Sequence, residues 1–266
     1  MKALINGITM GFDDIGSGPV VCLIHGFPLD RRMWRPQVTA LVSAGYRVIT
    51  PDLRGFGDSD APDGPYSMDL FADDLVALLN SLRIGRAVVG GMSMGGYVLF
   101  NLLERFPERI TAACFIVTRS EADDEAARDR RLVLARDLLK FGSKVAAEIF
   151  DKTLFASGNA QIRPELAADV RGWLLEKDPR GLAGGLLAMR ERRDYTPLLA
   201  SLLLPSLVIG AELDQAIPME NSRILAGRLK RHTLCLIPGG GHLANLEQPK
   251  AFNNCLIDFL HSLSLG

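Results

Sequence analysis

The sequence has no excess of charge of either sign and no long hydrophobic run. Its 266 residues include 30 lysines and arginines and 31 aspartates and glutamates, so the net charge at pH 7 is −1. Nucleic acids and anionic membranes attract basic surfaces, so we expect neither as a partner. No apolar stretch approaches the roughly 18 residues that span a bilayer, and the first residues are too short in apolar length for a secretory signal peptide. We therefore expect a cytoplasmic protein.

Cysteine is also scarce, with only Cys22, Cys114, Cys235 and Cys255. These residues are far apart in the sequence, and none has the two-residue spacing typical of zinc sites. A chain of this length buries enough apolar surface to do without a disulfide framework. We therefore expect no metal site and four buried cysteines that pack as small hydrophobic side chains.

The sequence does contain a regular alternation of short apolar runs with helical patterns. Continuous apolar runs at 20–24, 87–90, 110–117 and 206–210 predict strands that are buried on both faces of a sheet. Between such runs, apolar residues recur every three or four positions, as they do on one face of a helix. The alternation predicts an α/β fold with a mostly parallel central sheet and helices on both faces.

The alternation is interrupted once, by residues 119–195. This stretch has helical patterns and no strand pattern, so we expect an inserted helical cap. The α/β core would then consist of residues 1–118 and 196–266, with two antiparallel edge strands between Lys2 and Ile15. Ligands of such sheets bind beyond the carboxyl ends of the strands, so we expect the functional site in the loops at that edge.

One of these loops places a serine between a strand and a helix, in Gly91-Met92-Ser93-Met94-Gly95-Gly96. A serine on so sharp a turn adopts a strained backbone and projects its hydroxyl from the sheet. Dinucleotide-binding turns have a Gly-x-Gly-x-x-Gly pattern, which the serine interrupts. We therefore identify Ser93 as a candidate nucleophile, the alternative being a plain strand-to-helix turn.

A second loop, His25-Gly26-Phe27-Pro28, follows the first buried strand. A serine that attacks a carbonyl group needs two backbone N–H groups directed at the developing oxyanion. Our candidates are Met94, which follows the serine, and Phe27, because Pro28 has no N–H. We expect the His25 side chain to be structural and hydrogen-bonded to the backbone.

The loops after the last two strands contain a candidate base and a candidate acid. His242 follows three glycines in a loop, whereas His232 and His261 lie in or near regular elements. We therefore identify His242 as the general base. A carboxylate after the preceding strand can accept the second imidazole N–H, and we favour Asp214 over its local competitor Glu212.

The chain order Ser93, Asp214, His242 is that of the α/β-hydrolases, and the sequence resembles this superfamily over nearly its whole length. The resemblance is carried by the His25 loop, the charged run at 52–60, the serine turn, and the Asp and His loops. The segments 118–123 and 241–249 are similar to those of small serine carboxylesterases and 3-oxoadipate enol-lactonases. One departure is that Gly210 lies four residues before the acid, where family members often have a glycine three residues before it.

The resemblance implies an α/β-hydrolase fold, a catalytic triad of Ser93, His242 and Asp214, and an oxyanion hole formed by the N–H groups of Phe27 and Met94. It implies a carboxylesterase that cleaves small esters through an acyl-enzyme, without a metal or an organic cofactor. Hydrolysis of an enol-lactone or an acyl-homoserine lactone uses the same residues and remains open. Cofactor-free perhydrolase activity and a slow-turnover signalling receptor also remain open, and the sequence predicts no oligomeric state.

The resemblance also suggests interpretations for other residues. In the family the charged run at 52–60 is mostly structural, with Arg54 and neighbouring carboxylates fixing a loop. Trp34, Tyr97 and Trp173 are candidates to line an acyl pocket, although the first two fit a core equally well. The nearly neutral composition and the apolar residues of the cap favour a small, uncharged acyl group.

Overall fold

A single central sheet organises the fold, as seen in a computed structural model that describes residues 1–150 and 153–263. Within these residues its strands are β1 (Lys2–Ile5), β2 (Ile8–Ile15), β3 (Val20–Ile24), β4 (Arg47–Pro51), β5 (Ala87–Met92), β6 (Ile110–Ile116), β7 (Ser206–Ala211) and β8 (His232–Ile237). They join in the order β1-β2-β4-β3-β5-β6-β7-β8. β2 pairs antiparallel with β1 and with β4, and the other neighbours are parallel.

The sheet confirms the predicted α/β fold. Every residue of β5 and β7 is buried, because helices cover both faces of the parallel part. The antiparallel strands expected between Lys2 and Ile15 form one edge of the sheet. The parallel strands end at one common edge, and this is where the candidate loops meet.

The described helices are α1 (Arg35–Ser43), α2 (Met68–Ser81), α3 (Met94–Arg105), α4 (Glu125–Phe141), α5 (Lys144–Phe150), α6 (Asn159–Ile162), α7 (Pro164–Leu175), α8 (Pro179–Arg190), α9 (Thr196–Leu199), α10 (Met219–Arg228), α11 (Ala244–Glu247) and α12 (Pro249–His261). The apolar faces of α2 and α3 belong to one hydrophobic cluster, and those of α1 and α12 belong to a second. None of the helices described here combines the length and the apolar character that a membrane crossing requires.

The second helix illustrates how the sequence sets these elements. The side chain of Ser67 accepts a hydrogen bond from the N–H of Leu70, which caps the first turn of α2. Phe71, Leu75 and Leu78 follow at helical spacing and are buried. The cap fixes where the helix starts, and the apolar stripe fixes which face meets the sheet.

Between β6 and β7 the described residues form α4 to α9 and no strand. The predicted cap, residues 119–195, contacts the rest of the chain through a buried ion pair between Lys177 and Asp30. Burial alone would raise the pKa of Asp30, but Arg32 and Lys177 hold it well below its usual range. That residues 119–195 act as a cap stays a prediction.

The cysteines differ from the sequence-based expectation. Cys22 and Cys114 are buried free thiols, as expected. Cys235 in β8 and Cys255 in α12 are half-buried and form a disulfide bond. The expectation of four buried, unpaired cysteines was therefore wrong for this pair. The two cysteines are 20 residues apart in the sequence, but the fold brings their Cα atoms to 6.3 Å, within the range of a disulfide.

The charged run at 52–60 is structural, but its arginine has a partner outside the run. Arg54 makes two hydrogen bonds to the buried carboxylate of Asp74 in α2, at 2.8 and 2.9 Å. Asp52 and Asp58 instead pair with Arg31. The run is thus fixed both to α2 and to the segment before α1.

We expect Asp74→Asn to lower the free energy of unfolding by about 3 to 5 kcal/mol, because it leaves the buried Arg54 guanidinium without its counter-charge. Asp73→Asn is the matched control, since Asp73 directly precedes Asp74 in α2 and pairs with Arg105 at the surface. That change should cost less than about 1 kcal/mol. Urea unfolding of both variants measures the difference, and equal losses would contradict a buried pair that matters for stability.

Candidate active site

Ser93 occupies the junction between β5 and α3. β5 ends at Met92 and α3 begins at Met94, so Ser93 belongs neither to the strand nor to the helix. Its φ of 52° and ψ of −112° place it at positive φ, which is rare for residues other than glycine. Two hydrogen bonds hold this conformation, from the Ser93 N–H to the carbonyl of Ile116 at 3.0 Å and from the Thr118 hydroxyl to the carbonyl of Ser93 at 2.9 Å.

Two glycines make this junction possible. A Cβ atom on Gly91 would lie 2.2 Å from the carbonyl oxygen of Gly95, and one on Gly95 would lie 2.4 Å from the carbonyl oxygen of Ile24. Neither distance is sterically allowed, and the atoms that would clash belong to the backbone. Only glycine at both positions lets α3 start directly against the ends of β3 and β5.

His242 and Asp214 are hydrogen-bonded to each other, with 2.8 Å between Nδ1 and Oδ2. The other oxygen of Asp214 accepts hydrogen bonds from the N–H groups of Ala216 and Ile217, at 2.8 and 2.9 Å. With Asp214 acting as an acceptor on both oxygens, we assign the imidazole proton to Nδ1, which leaves Nε2 as a free base. Glu212 does not reach His242; its carboxylate accepts the N–H of Gly239.

Ser93 and His242 line the same cavity, which has a volume of about 130 Å³. The other lining residues are Phe27, Tyr97, Arg131, Phe150, Thr153, Leu154, Met189, Ala216 and Ile217. Of the three aromatic candidates from the sequence, Tyr97 lines the cavity, whereas Trp34 is buried against Phe252 and Trp173 lies beneath Arg32. Asp214 lies behind His242 and does not line the cavity.

The two candidate oxyanion donors belong to the residue after the serine and to the loop after β3. Met94 is the first residue of α3, where a helix leaves its N–H groups without intrahelical partners. The loop that contains Phe27 packs against the serine, since a Cβ atom on Gly26 would lie 3.4 Å from the Cβ atom of Ser93. No described residue accepts a hydrogen bond from the Phe27 N–H. Their role as oxyanion donors stays a prediction.

His25 is buried and has a structural role, as expected. Its Nε2 atom accepts the N–H of Leu53 at 3.0 Å, and Nδ1 donates to the carbonyl of Gly26 at 3.1 Å. Burial lowers its pKa from 6.5 to about 4, with Lys177 and Arg31 adding to the shift while Gly26 and Asp30 oppose it. His25 is thus neutral at neutral pH and connects the Phe27 loop to the residue after Asp52.

Sequence reasoning missed Glu247, whose buried carboxylate fixes the His242 loop. It accepts the N–H of Gly241 and the N–H of Ala156, both at 2.9 Å, and the side-chain amide of Asn159 at 2.6 Å. Glu247 belongs to the segment 241–249 that carries the family resemblance, which was the available signal. Its carboxylate joins the loop of the candidate base to residues between β6 and β7.

Sequence reasoning also missed Arg131, which lines the cavity from α4. The polar pattern of α4 is that of a solvent-exposed helix, so nothing in the sequence distinguishes Arg131 from Arg128 or Arg130. A larger cleft of about 570 Å³ contains neither Ser93 nor His242. Among the residues that the structure describes, no cluster of three or more histidine, cysteine, aspartate or glutamate side chains is placed to hold a metal ion.

Comparison with known proteins places the chain in a family. A family model described as the alpha/beta hydrolase fold matches residues 19–249. A thermophilic esterase from Thermogutta terrifontis, solved with malate bound, has a TM-score of 0.94 and 35% identity over 98% of this chain and 97% of its own. The enol-lactonase of Burkholderia xenovorans has a TM-score of 0.91 and 28% identity over 98% of this chain and 100% of its own. A putative non-heme chloroperoxidase from Synechocystis is 30% identical over 95% of each chain.

The buried, neutral His25 predicts a pH dependence of stability. In the unfolded chain His25 takes up a proton below its ordinary pKa of 6.5, whereas the folded chain resists protonation down to about 4. The stability that depends on neutral His25 is therefore complete above pH 6.5 and is lost as the pH falls through this window. The loss amounts to roughly 3 kcal/mol at 1.36 kcal/mol per pH unit.

The measurement is urea unfolding of the wild type and of His25→Gln at several pH values between 4 and 6.5. Glutamine can still accept and donate one hydrogen bond but does not titrate, so the variant should lose less stability than the wild type as the pH falls. His261→Gln removes an exposed histidine and controls for the substitution itself. Parallel curves for the wild type and His25→Gln would show that His25 is not the responsible group.

Proposed function

Because the chain belongs to the α/β-hydrolase family, we propose that it is a serine hydrolase that cleaves small carboxylic esters through an acyl-enzyme. The observation that carries this proposal is the hydrogen bond between His242 and Asp214 at a cavity that also contains Ser93. A base oriented by a carboxylate, beside a hydroxyl at a strained strand-to-helix junction, is the arrangement that acyl transfer needs. The esterase and enol-lactonase relatives support the same class of reaction.

In the first half of the proposed reaction, the Ser93 hydroxyl attacks the ester carbonyl while Nε2 of His242 accepts its proton. The imidazolium that forms is stabilised by the Asp214 carboxylate. The negative charge on the carbonyl oxygen accepts hydrogen bonds from the N–H groups of Phe27 and Met94. Collapse of the tetrahedral intermediate breaks the bond to the alkoxide, which leaves with the proton from His242.

In the second half, water replaces the alcohol. His242 accepts a proton from the water as its oxygen attacks the acyl-enzyme, and the same two N–H groups hold the second oxyanion. Release of the carboxylic acid returns the proton to the Ser93 oxygen. Every proton in this cycle passes between substrate, water, Ser93 and His242, so the reaction needs no metal or organic cofactor.

The size of the cavity favours small substrates. Its volume of about 130 Å³ lies below the range of roughly 300–1,000 Å³ that is typical of drug-sized ligands. We take residues 119–195 as the cap of this site, because they contribute Arg131, Phe150 and Met189 to the cavity wall. Short acyl and alcohol groups fit such a space, whereas long fatty acyl chains do not.

Two alternatives use the same residues. A lactone is an ester whose alcohol remains attached to the acyl group, and the enol-lactonase relative favours a substrate of this kind. The chloroperoxidase relative favours perhydrolysis, in which hydrogen peroxide replaces water in the second half of the reaction. Rates of ring opening, of linear ester cleavage and of peracid formation on one enzyme sample would rank the three.

Ser93→Ala tests the proposal most directly. We expect kcat/KM for p-nitrophenyl acetate to fall by about 10⁴-fold or more, because no other group can form the acyl-enzyme. A fluorophosphonate probe should label the wild type once, at Ser93, and should not label the variant. Ser157→Ala, which changes an exposed serine, should behave as the wild type in both assays. Retained turnover in Ser93→Ala would overturn the proposed function.

Asp214→Asn tests the identity of the acid. Asparagine cannot stabilise the imidazolium and favours the wrong tautomer of His242, so we expect kcat to fall by about 10⁴-fold. Glu212→Gln is the matched control because its amide oxygen can still accept the N–H of Gly239. This variant should keep kcat within about twofold of the wild type. A larger loss in Glu212→Gln than in Asp214→Asn would assign the acid to Glu212 instead.

A further inference from the structure

Three arginines meet a single carboxylate beside the cavity. Nη2 atoms of Arg119 and Arg192 lie 2.7 and 2.8 Å from one oxygen of Asp123, and Nε of Arg131 binds the other oxygen. Arg119 lies in the loop after β6, Arg131 lies in α4, and Arg192 lies in the segment that follows α8. We call this group the arginine cluster. It places three positive charges around one negative charge.

No second carboxylate of the described residues joins the arginine cluster. Glu121 contributes only its backbone carbonyl, which accepts a hydrogen bond from Arg192. The carboxylate of Glu191 pairs with Arg128 and Arg190 instead. Tyr97 also borders the arginine cluster, with the centroid of its ring 4.1 Å from the guanidinium carbon of Arg192.

The Asp123 carboxylate of the arginine cluster stays ionised. Burial alone would raise the pKa of Asp123, but hydrogen bonds from Arg192 and Arg131 hold it well below its usual range. Arginine keeps its own proton at any pH at which a protein stays folded. The excess of positive charge in the arginine cluster is therefore a permanent feature of the site.

Arg131 directs this excess charge to the cavity. It lines the cavity together with Ser93 and His242. Its Nη1 atom lies 3.4 Å from the sulfur of Met189, which is a weak acceptor, and no described residue accepts a hydrogen bond from Nη2. The outer edge of the guanidinium group thus has two donor nitrogens without an oxygen partner. This edge matches the two oxygens of a carboxylate.

We propose that Arg131 binds a carboxylate of the substrate, so that the preferred substrates are short esters that carry a second, ionised carboxylate. This inference rests on the proposed function and names the substrate class of the same site. It replaces the expectation of an uncharged acyl group, because composition averages over the surface whereas Arg131 acts locally. The small cavity sets the spacing, since one short chain must reach from Ser93 to Arg131.

A purely structural arginine cluster is the alternative, in which Arg131 only fixes Asp123 to α4. The two roles differ in what they predict for substrates that differ only in charge. A structural role affects charged and neutral esters equally, because both need the same folded site. A binding role changes the ratio of the two kcat/KM values.

The test uses two matched pairs of esters, with the released acid measured by titration at constant pH. The acyl chain of monoethyl succinate ends in a carboxylate, whereas that of ethyl butyrate ends in a methyl group. Acetoxyacetate and ethyl acetate differ in the same way on the alcohol side. We expect the wild type to prefer the charged member of one pair at least about tenfold, and that pair shows on which side the carboxylate binds.

Arg131→Gln should lower this preference by roughly tenfold to a hundredfold, the range of a charge-assisted hydrogen bond. Arg131→Lys should restore part of it, since lysine keeps the charge but not the paired donors. Arg130→Gln is the matched control, because Arg130 is the exposed preceding residue of α4 and should leave the preference unchanged. Unfolding curves of all variants check that the fold is retained.

Two results would overturn the inference while leaving the proposed function intact. One is that the wild type hydrolyses the neutral and the charged member of each pair with equal kcat/KM, and that this activity depends on Ser93. The other is an equal loss for charged and neutral esters in Arg131→Gln.

A binding experiment separates the inference from the proposed function. Calorimetry should detect binding of monoethyl succinate or acetoxyacetate to Ser93→Ala, and the affinity should fall when Arg131→Gln is added. If no ester is hydrolysed but this Arg131-dependent binding is present, the proposed function is wrong and the carboxylate site remains. Absence of binding to Ser93→Ala would overturn the carboxylate site.

Discussion

The close approach of α3 to the ends of β3 and β5 is the constraint on which the candidate site depends. Without side chains at Gly91 and Gly95, the helix can begin directly at the sheet edge, and Ser93 is forced to positive φ. Strain of this kind costs on the order of 1–3 kcal/mol and persists only where the surroundings over-determine it. Here hydrogen bonds to the backbone of Ile116 and from the side chain of Thr118 hold the strained conformation, so Ser93 keeps a fixed position at the cavity.

A second constraint ties the candidate base to the helices between β6 and β7. The buried Glu247 bonds to Gly241 on one side and to Ala156 on the other, and the N–H of Leu243 donates to the carbonyl of Leu154 at 3.0 Å. These bonds bracket His242 in the sequence. Any displacement of residues 154–156 must therefore either break buried hydrogen bonds or move the His242 loop as well. Residues 154–156 and the His242 loop therefore hold each other in place.

The fold and the candidate residues were accessible from the sequence because they depend on local patterns. Strand and helix periodicity, together with the strand-end rule, identified the loops of Ser93, Asp214 and His242. The disulfide between Cys235 and Cys255 and the position of Arg131 in the cavity wall were not accessible. Both depend on which elements lie side by side, and periodicity does not report that. A polar helix face looks the same whether it meets water or a cavity.

The loop after β6 connects these observations, because it contacts both the candidate nucleophile and the arginine cluster. Thr118 binds the carbonyl of Ser93, and the next residue, Arg119, pairs with Asp123 in the same loop. Asp123 in turn holds Arg131 at the cavity. A few consecutive residues thus set both the direction of the serine and the position of the positive charge. The buried ion pair with Asp123 holds that charge in place relative to Ser93, and a fixed distance is what selection of a substrate by length and charge requires.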